Sequence, residues 1–255
     1  MIERLYGITH QGARRHVLAR GEDDPRLIEG DPFGTYELGA AVDLGTAALL
    51  PPVTPAKVVC IGLNYKDHAA EMSKPLPSEP LMFMKPSTAV IGPADVIRLP
   101  MWAGEIHHEA ELGVVIGRRA SRVKAADAMD YVLGVTCATD VTARELQKKD
   151  VQYTRAKGFD TFAPIGPCVA IGLDPSALKI EGLVNGAVRQ SSSTRELIFG
   201  VPVLIEFVSR VMTLLPGDVI LTGTPSGVGP LTPGDTFTVR IEGIGELANR
   251  VMEQQ

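Results

Sequence analysis

Glycine and proline occur throughout this chain at a density that limits the length of any helix. The 255 residues include 26 glycines and 19 prolines, 45 together, against about 31 expected from average usage of roughly 7% and 5%. Both residues disfavour helix interiors and suit turns. We therefore predict short strands joined by turns, in a β-rich α+β architecture whose sheets are mixed or antiparallel.

The chain length allows one large domain or one domain with a smaller companion, because domains typically span roughly 100–200 residues. The first part of the chain has weak patterns and a turn-rich patch at Gly21–Pro25, and it ends in the proline-rich run Leu50–Pro55. Such a run is stiff and extended. The sequence predicts a small N-terminal domain at residues 1–55 and a larger domain at residues 56–255.

Composition and charge exclude several classes of protein. Apolar residues make up 45% of the chain and charged residues 22%, which excludes intrinsic disorder. The formal charge of −5 leaves no basic surface for phosphates, so we expect no nucleic-acid partner. No stretch approaches the ~18 apolar residues that span a bilayer, and the first residues do not resemble a signal peptide. We expect a cytoplasmic protein with no membrane partner.

The three cysteines, Cys60, Cys137 and Cys168, are widely spaced and lie in apolar runs. This context is typical of buried, reduced thiols. The pattern predicts neither a disulfide framework nor a zinc site.

Hydrophobic patterns give a coarse map of the middle of the chain. We predict strands at Lys57–Gly62, at Glu109–Gly117, where apolar residues alternate, and at Leu133–Thr139. Asp67–Met72 is predicted as a short helix, and Thr142–Glu145 has the form of a capping box that opens another helix.

Turn-forming residues separate the predicted strands in the C-terminal half of the chain. The pair Asn185-Gly186 predicts a tight hairpin between strands at Leu178–Val184 and Ala187–Gln190, because both residues tolerate positive φ. The turns Pro216-Gly217-Asp218 and Pro233-Gly234-Asp235 each introduce a further strand. Pro202–Leu215 is the one long helix that the pattern supports.

Two glutamates on one strand are the sharpest chemical feature. Glu109 and Glu111 are two residues apart, so their side chains point the same way and can converge on one cation. Gly113 follows on the same face, where it could leave room for a ligand, and Asp140 ends the next predicted strand. Three carboxylates form an all-oxygen set that suits Mg²⁺, Mn²⁺ or Ca²⁺ better than zinc. The alternative interpretation is a solvated strand face.

A histidine and a carboxylate form a second candidate pair. His68 and Glu71 would share one face of a short helix, and a carboxylate beside an imidazole raises its basicity. A solvated amphipathic turn is the alternative. Of the two histidines before the glutamates, His107 has the parity to face the same site as Glu109, and we assign neither a ligand role.

Other motifs are weaker in context. The ordinary interpretation of Lys85 and Lys157 is that both are surface lysines. A lysine near three carboxylates could instead pair with an anionic substrate. Gly243–Ala248 fits a dinucleotide pattern but has no room for a βαβ unit. Gly223–Gly229 lacks the Gly-Lys-Ser/Thr ending of a phosphate loop, and no Gly-x-Ser-x-Gly elbow is present.

Taken together, six ordered segments resemble the fumarylacetoacetate hydrolase family, over a region that runs from about Lys57 to the C-terminus. They are Gly62–Glu71, Phe83–Pro86, His108–Leu112, Asp140–Arg144, Lys157–Asp160 and Leu221–Gly229. The resemblance implies a mixed β-sandwich roll, a homodimer, and Mg²⁺ or Mn²⁺ in the active site.

The resemblance also implies roles for individual residues, carried over by motif position. The implied metal ligands are Glu109, Glu111 and Asp140; the acid/base dyad on a lid is His68 with Glu71; the substrate-polarising cation is Lys157; and the substrate contacts are Arg144, Gln147 and Thr224. Longer members of the family have a fourth metal carboxylate where this chain has Ile61.

The family acts on small 2-oxo acids, so a small-molecule 2-oxo acid is the expected partner. Because the His68/Glu71 dyad suits water activation, hydrolysis of acylpyruvate-type C–C bonds through a metal-stabilised enolate is the first expectation. The alternatives are an isomerase or decarboxylase of 2-hydroxyhepta-2,4-dienedioate-like compounds or oxaloacetate, and a non-catalytic binding module. The polar, proline-containing stretch Asp67–Pro80 is expected to be a mobile lid.

Overall fold

The computed structural model describes residues 2–21 and 24–254. Glu22 and Asp23, in the turn-rich patch predicted from the sequence, lie outside the described residues.

Strands dominate the structure, as the glycine and proline content predicts. In chain order the strands are β1 (Glu3–His10), β2 (Ala13–Arg20), β3 (Pro25–Gly30), β4 (Tyr36–Ala41), β5 (Ala48–Leu50), β6 (Val58–Gly62), β7 (Leu81–Lys85), β8 (Val90–Ile91), β9 (Val96–Leu99), β10 (Ile106–His108), β11 (Ala110–Ile116), β12 (Val132–Thr139), β13 (Thr142–Ala143), β14 (Ala163–Ile171), β15 (Lys179–Val184), β16 (Ala187–Ser193), β17 (Val219–Leu221), β18 (Gly229–Pro230), β19 (Thr236–Ile241) and β20 (Gly245–Glu253). The α-helices are α1 (Lys66–Glu71), α2 (Arg144–Asp150), α3 (Thr154–Lys157) and α4 (Val201–Val211).

A large mixed sheet forms the body of the fold. Its strand order is β4-β3-β2-β1-β14-β12-β11-β17-β6-β7, with β5 beside β1 and β8 beside β14. Most neighbours are antiparallel, and β17 runs parallel to β6. A second sheet has the order β16-β15-β19-β20-β9, and a short one has the order β13-β10-β18. The expectation of a β-rich α+β fold with mixed sheets is confirmed.

The N-terminal strands continue the large sheet. Strand β1 pairs with β14, with Leu5 opposite Val169. The side chains of Leu5, Leu18 and Val169 belong to one buried cluster. The proposed boundary at residue 55 stays a prediction about domain organisation.

Two buried layers sandwich the central strands. On one face of β11, Leu112 and Val114 join a core shared with the second sheet and with Leu204 of α4. On the other face, Val115 joins a smaller cluster with Val219 of β17. All seven residues of β11 are buried, so its second face is packed rather than solvated.

Several local predictions agree with the structure. The hairpin of β15 and β16 turns at Asn185 and Gly186, whose φ values are 52° and 78°. Asp140 directly follows β12, as predicted. The segment after α1 is irregular up to Pro80.

Three local predictions were wrong. The helix predicted to reach Leu215 ends at Val211, because Leu214 instead exchanges backbone hydrogen bonds with Ala120. Helix α2 begins after an N-cap at Ala143 rather than in a capping box. Gly113 leaves no room for a ligand, since a Cβ there would lie 2.9 Å from Cγ2 of Thr136.

Among the described residues, no helix is both long enough and apolar enough to cross a membrane.

Candidate active site

A cavity of about 520 Å³ opens where the ends of β6 and β12 and the start of β11 meet helices α1, α2 and α3. All nine site residues proposed from the sequence line this cavity: His68, Glu71, Glu109, Glu111, Asp140, Arg144, Gln147, Lys157 and Thr224. The structure therefore brings into one place residues that are up to 156 positions apart, between His68 and Thr224.

The register between β11 and β12 assembles the acidic group. Ala110 pairs with Thr139, so Glu109 lies opposite Asp140, whose backbone N–H donates to the Glu109 carbonyl at 3.0 Å. Glu111 lies two residues further along the strand, on the same face as Glu109. One ligand oxygen from each of the three carboxylates lies within 4.8 Å of the other two. All three residues are buried, so the interpretation as a solvated strand face is wrong.

Buried cations offset these negative charges. The ammonium group of Lys157 donates to Glu109 at 2.9 Å and to Asp140 at 2.6 Å. Arg144 donates to the other oxygen of Glu109. Lys157 is 2% exposed, so the alternative of a surface lysine does not hold.

One oxygen of the acidic group is left without a hydrogen bond. Within the described chain, Oδ1 of Asp140 is buried and has no hydrogen-bond donor, although the ammonium group of Lys85 lies 2.7 Å away. The three protons of that ammonium group are directed to the carbonyls of Val141, Lys157 and Phe162. A buried acceptor without a donor, inside an all-oxygen donor set, fits a hard divalent cation.

The surroundings of Glu109 and Glu111 shift the pKa values of these two side chains in opposite directions. Burial raises the pKa of Glu109, but the positive charges of Lys157 and Arg144 outweigh burial and leave it well below its ordinary value. Burial also raises the pKa of Glu111, and there the negative charges of Asp140 and Glu109 add to the effect. Neighbouring carboxylates with opposite shifts are typical of functional sites.

Glu111 is oriented by a glycine that no other residue could replace without strain. The Gly223 N–H donates to Oε2 of Glu111 at 2.7 Å. Gly223 has a φ of 103°, and a Cβ there would lie 2.8 Å from Cβ of Asn64. The glycine-rich segment that failed as a phosphate loop therefore supplies a backbone donor to the acidic group.

The histidine and glutamate on α1 form a hydrogen-bonded pair. Nδ1 of His68 lies 3.0 Å from Oε2 of Glu71. The other oxygen of Glu71 accepts the Gly227 N–H at 3.0 Å, and Asp67 accepts the Ser192 hydroxyl at 2.7 Å. His68 is 7% exposed, whereas the side chain of Glu71 is 43% exposed, so the interpretation as a solvated turn is wrong for His68.

Polar side chains complete the wall of the cavity. Arg144 donates to Oε1 of Gln147 at 2.9 Å, which holds both side chains on one face of α2. The Thr224 hydroxyl donates to the Ala110 carbonyl at 2.9 Å and accepts from Gln190 at 2.7 Å.

The two adjacent histidines have separate environments, as parity predicts. His107 lines the cavity, and burial together with the positive charge of Arg144 lowers its pKa. His108 points away and stacks on Phe237 with ring centroids 4.6 Å apart. Burial lowers the pKa of His108 to about 4. The His108 ring is therefore neutral at physiological pH.

Sequence reasoning misplaced one buried residue that supports the site and missed another. The interpretation of Lys85 as a surface lysine is wrong, because Lys85 is 1% exposed; a lysine in an apolar strand is itself a signal for a buried cation. Gln190 accepts from the Ala110 N–H at 2.9 Å and donates to Thr224. Its strand shows no hydrophobic pattern, so nothing in the local sequence indicates its burial.

The fold and the acidic cavity define a β-rich protein with a carboxylate site suited to a divalent cation. The family described as fumarylacetoacetate (FAA) hydrolase C-terminal matches residues 57–252. The chain belongs to this family, as its six motifs predict.

Relatives in the family are enzymes with different reactions. The chain is 44% identical in sequence to 2-hydroxyhepta-2,4-diene-1,7-dioate isomerase from Mycobacterium marinum. The crystal structure of that protein superposes with a TM-score of 0.92, and the match covers 98% of each chain. It is 46% identical to the mitochondrial oxaloacetate tautomerase FAHD2A of Bos taurus, over 80% of this chain and 69% of that one. It is 30% identical to a maleylpyruvate hydrolase from Sphingobium sp. SYK-6 solved with manganese(II) and pyruvate, with a TM-score of 0.82 over 99% of this chain and 100% of the other.

Proposed function

We propose that this protein is a divalent-metal-dependent enzyme that moves a proton on small 2-oxo acids and so interconverts their keto and enol forms. The observation that carries the proposal is that the His68–Glu71 pair lies in one cavity with three buried carboxylates. Relatives above 40% identity that are described as an isomerase and a tautomerase support it.

The acidic group would hold the cation. Glu109, Glu111 and Asp140 supply the oxygen ligands, and Mg²⁺ or Mn²⁺ fits them best. When bound, such a cation supplies positive charge that stabilises an enolate.

His68 is the proton carrier in this proposal. Because Nδ1 of His68 is hydrogen-bonded to Glu71, Nε2 is the ring nitrogen free to exchange a proton. Nε2 takes a proton from C3 of the 2-oxo acid, the C–H electron pair forms the C2–C3 double bond, and the C2=O π pair moves onto the C2 oxygen. That oxygen then takes the proton from Nε2 and becomes the enol hydroxyl. The reverse transfer returns the ketone.

Cationic and polar groups would orient the acid. Lys157 and Arg144 place positive charge beside the carboxylates, where the anionic head of a 2-oxo acid would lie. Gln147 and Thr224 add hydrogen-bonding groups to the same wall. A 2-oxo acid held in this way would have C3 in the same cavity as His68, and tautomerisation requires a base positioned near C3.

Hydrolysis of an acylpyruvate-type C–C bond, favoured from the sequence, is the second candidate. It uses the same groups and needs in addition that His68 remove a proton from water. Its specific support is the maleylpyruvate hydrolase with the same fold. Decarboxylation, an alternative from the sequence, does not require His68 to remove a proton from water.

A homodimeric state and a cytoplasmic location stay predictions.

One panel of assays distinguishes these reactions. Enol-to-keto conversion of oxaloacetate is followed by ultraviolet absorbance, C–C cleavage of acetylpyruvate by product analysis, and decarboxylation by CO₂ release, each with Mg²⁺, with Mn²⁺ and with excess chelator. We expect metal-dependent tautomerisation to be fastest. Cleavage without tautomerisation would establish the hydrolase instead, and no reaction in any assay would favour the non-catalytic binding module.

A further inference from the structure

The cavity continues from its acidic floor to a mouth that carries two lysines. Lys74 lies in the irregular segment after α1, and Lys148 lies on α2, so they reach the cavity from different parts of the chain. Both side chains are exposed. The cavity thus has a second basic region, at its solvent end, in addition to the cations at its floor.

Helix geometry directs Lys148 toward the site. Lys148 follows Arg144 by four residues on α2, and side chains at this spacing lie on the same face of a helix. Lys149, the next residue, faces elsewhere and does not line the cavity. The position of Lys148 is therefore specific to one helix face, and Lys149 provides a matched comparison.

The lysines at the mouth differ from the cations at the floor in having no internal partner. Lys157 and Arg144 are engaged by Glu109, and Lys85 is engaged by Asp140. Across residues 2–21 and 24–254, no carboxylate lies within ion-pair distance of Lys74 or Lys148. Their charge is available to an anion that enters from solvent.

Apolar side chains also line the cavity, beside the polar groups of its wall. They are Leu63, Met72, Leu81, Phe83 and Val228. A ligand matched to the whole cavity therefore has a chelating anionic head, a short hydrocarbon chain and a second anionic group at its far end.

We propose that Lys148 and Lys74 bind the distal carboxylate of a dicarboxylic 2-oxo acid, and that they select dicarboxylates over monocarboxylates. This inference rests on the proposed function, since it assumes that the 2-oxo acid head binds at the floor. Because both lysines are exposed, each contributes about two- to fivefold in affinity, as expected for a solvent-screened ion pair. The preference also falls as salt concentration rises.

The test uses two ligands of equal length that differ at one end. In 2-oxohexanoate a methyl group stands where 2-oxoadipate has its distal carboxylate. Isothermal titration calorimetry of the Mg²⁺-loaded full chain gives the affinity ratio of the two ligands. We expect the wild type to prefer 2-oxoadipate, Lys148→Gln and Lys74→Gln each to reduce the ratio about two- to fivefold, and the double variant to reduce it by the product of the two effects, about four- to twenty-five-fold. Lys149→Gln is expected to keep the wild-type ratio.

Two results would overturn the inference. An unchanged ratio in the double variant shows that these lysines do not select the distal group, and an equal reduction by Lys149→Gln shows a general effect of surface charge. Oxalate, which is too short to reach the mouth, is titrated in parallel. If oxalate and both oxo acids fail to bind the wild type, the proposed function fails and this inference fails with it. If oxalate binds with an unchanged oxo-acid ratio, only the inference fails.

Discussion

The ammonium group of Lys85 lies 2.7 Å from Oδ1 of Asp140 but does not line the cavity. Lys85 is 1% exposed, and its ammonium protons are held by three backbone carbonyls. Burial lowers the pKa of Lys85, and the negative charge of Asp140 works against this. The lysine therefore compensates the charge of Asp140 without itself lining the cavity.

The first prediction concerns this buried ion pair. We expect Lys85→Met to reduce the free energy of unfolding by about 3–5 kcal/mol, because it leaves a buried carboxylate less compensated and three carbonyls without donors. Urea denaturation measures the change. Lys149→Met, at an exposed position, is the control and should stay within about 0.5 kcal/mol of wild type. A loss below about 1 kcal/mol in Lys85→Met would contradict the structural role given to Lys85.

The second prediction concerns the pH dependence of metal binding. The pKa of Glu111 is held well above its ordinary value by burial and by the charges of Asp140 and Glu109. The metal-free carboxyl therefore keeps its proton to a higher pH than an ordinary glutamate, and a cation must displace that proton. We expect Mg²⁺ affinity to rise with pH and binding to release protons.

Calorimetry in two buffers of different ionisation enthalpy counts the released protons. Glu111→Gln should lose most of the affinity together with the pH dependence, whereas Glu253→Gln, at an exposed position, should behave as wild type. Mg²⁺ binding that is independent of pH, or undiminished in Glu111→Gln, would contradict the assigned ligand.

The third prediction separates chemistry from binding. We expect His68→Ala to lower the rate of proton transfer by ~10²–10⁴-fold, the usual contribution of a positioned acid or base, because the variant lacks the ring nitrogen that exchanges the proton. Oxalate affinity in the presence of Mg²⁺ should change little, since the carboxylates and Lys157 remain. Steady-state kinetics and calorimetry on the same protein decide the matter. A variant with near-wild-type turnover would require a different proton carrier.

The fourth prediction concerns the expected lid at Asp67–Pro80. Two hydrogen bonds dock α1, one from Ser192 to Asp67 and one from Gly227 to Glu71. Residues 72–80 have no regular structure. We expect oxalate with Mg²⁺ to slow hydrogen exchange over Asp67–Pro80, most strongly after α1. We also expect Ser192→Ala to speed exchange in α1 about fivefold, consistent with the loss of one hydrogen bond.

Hydrogen exchange with mass spectrometry measures both effects. Ser191→Ala, at the exposed neighbouring position on β16, is the matched control. Strong and equal protection of the segment with and without ligand would show a rigid element. In that case His68 is in place before the substrate arrives.

Local sequence preferences were enough to predict many of the helices, strands and turns. The turn at Asn185-Gly186, the short helix with His68 and the strand before Asp140 all follow from backbone preferences and from period-two or helical spacing. Such preferences act over a few residues, so they can be read without the rest of the fold. They do not reach across chain segments, which is why the end of α4 was misplaced: Leu214 pairs with the distant Ala120.

The same limit applies to the site. The sequence by itself determined the residue types, and the order of six motifs determined the family, because together they are specific where each alone is weak. Only the tertiary structure decided that Glu111 accepts the Gly223 N–H, that Gln190 supports Thr224 from a separate hairpin, and that Lys85 is buried against Asp140. Burial and hydrogen bonding are set by contacts between segments far apart in the chain. The charge balance of the acidic group therefore appears only when those segments pack together.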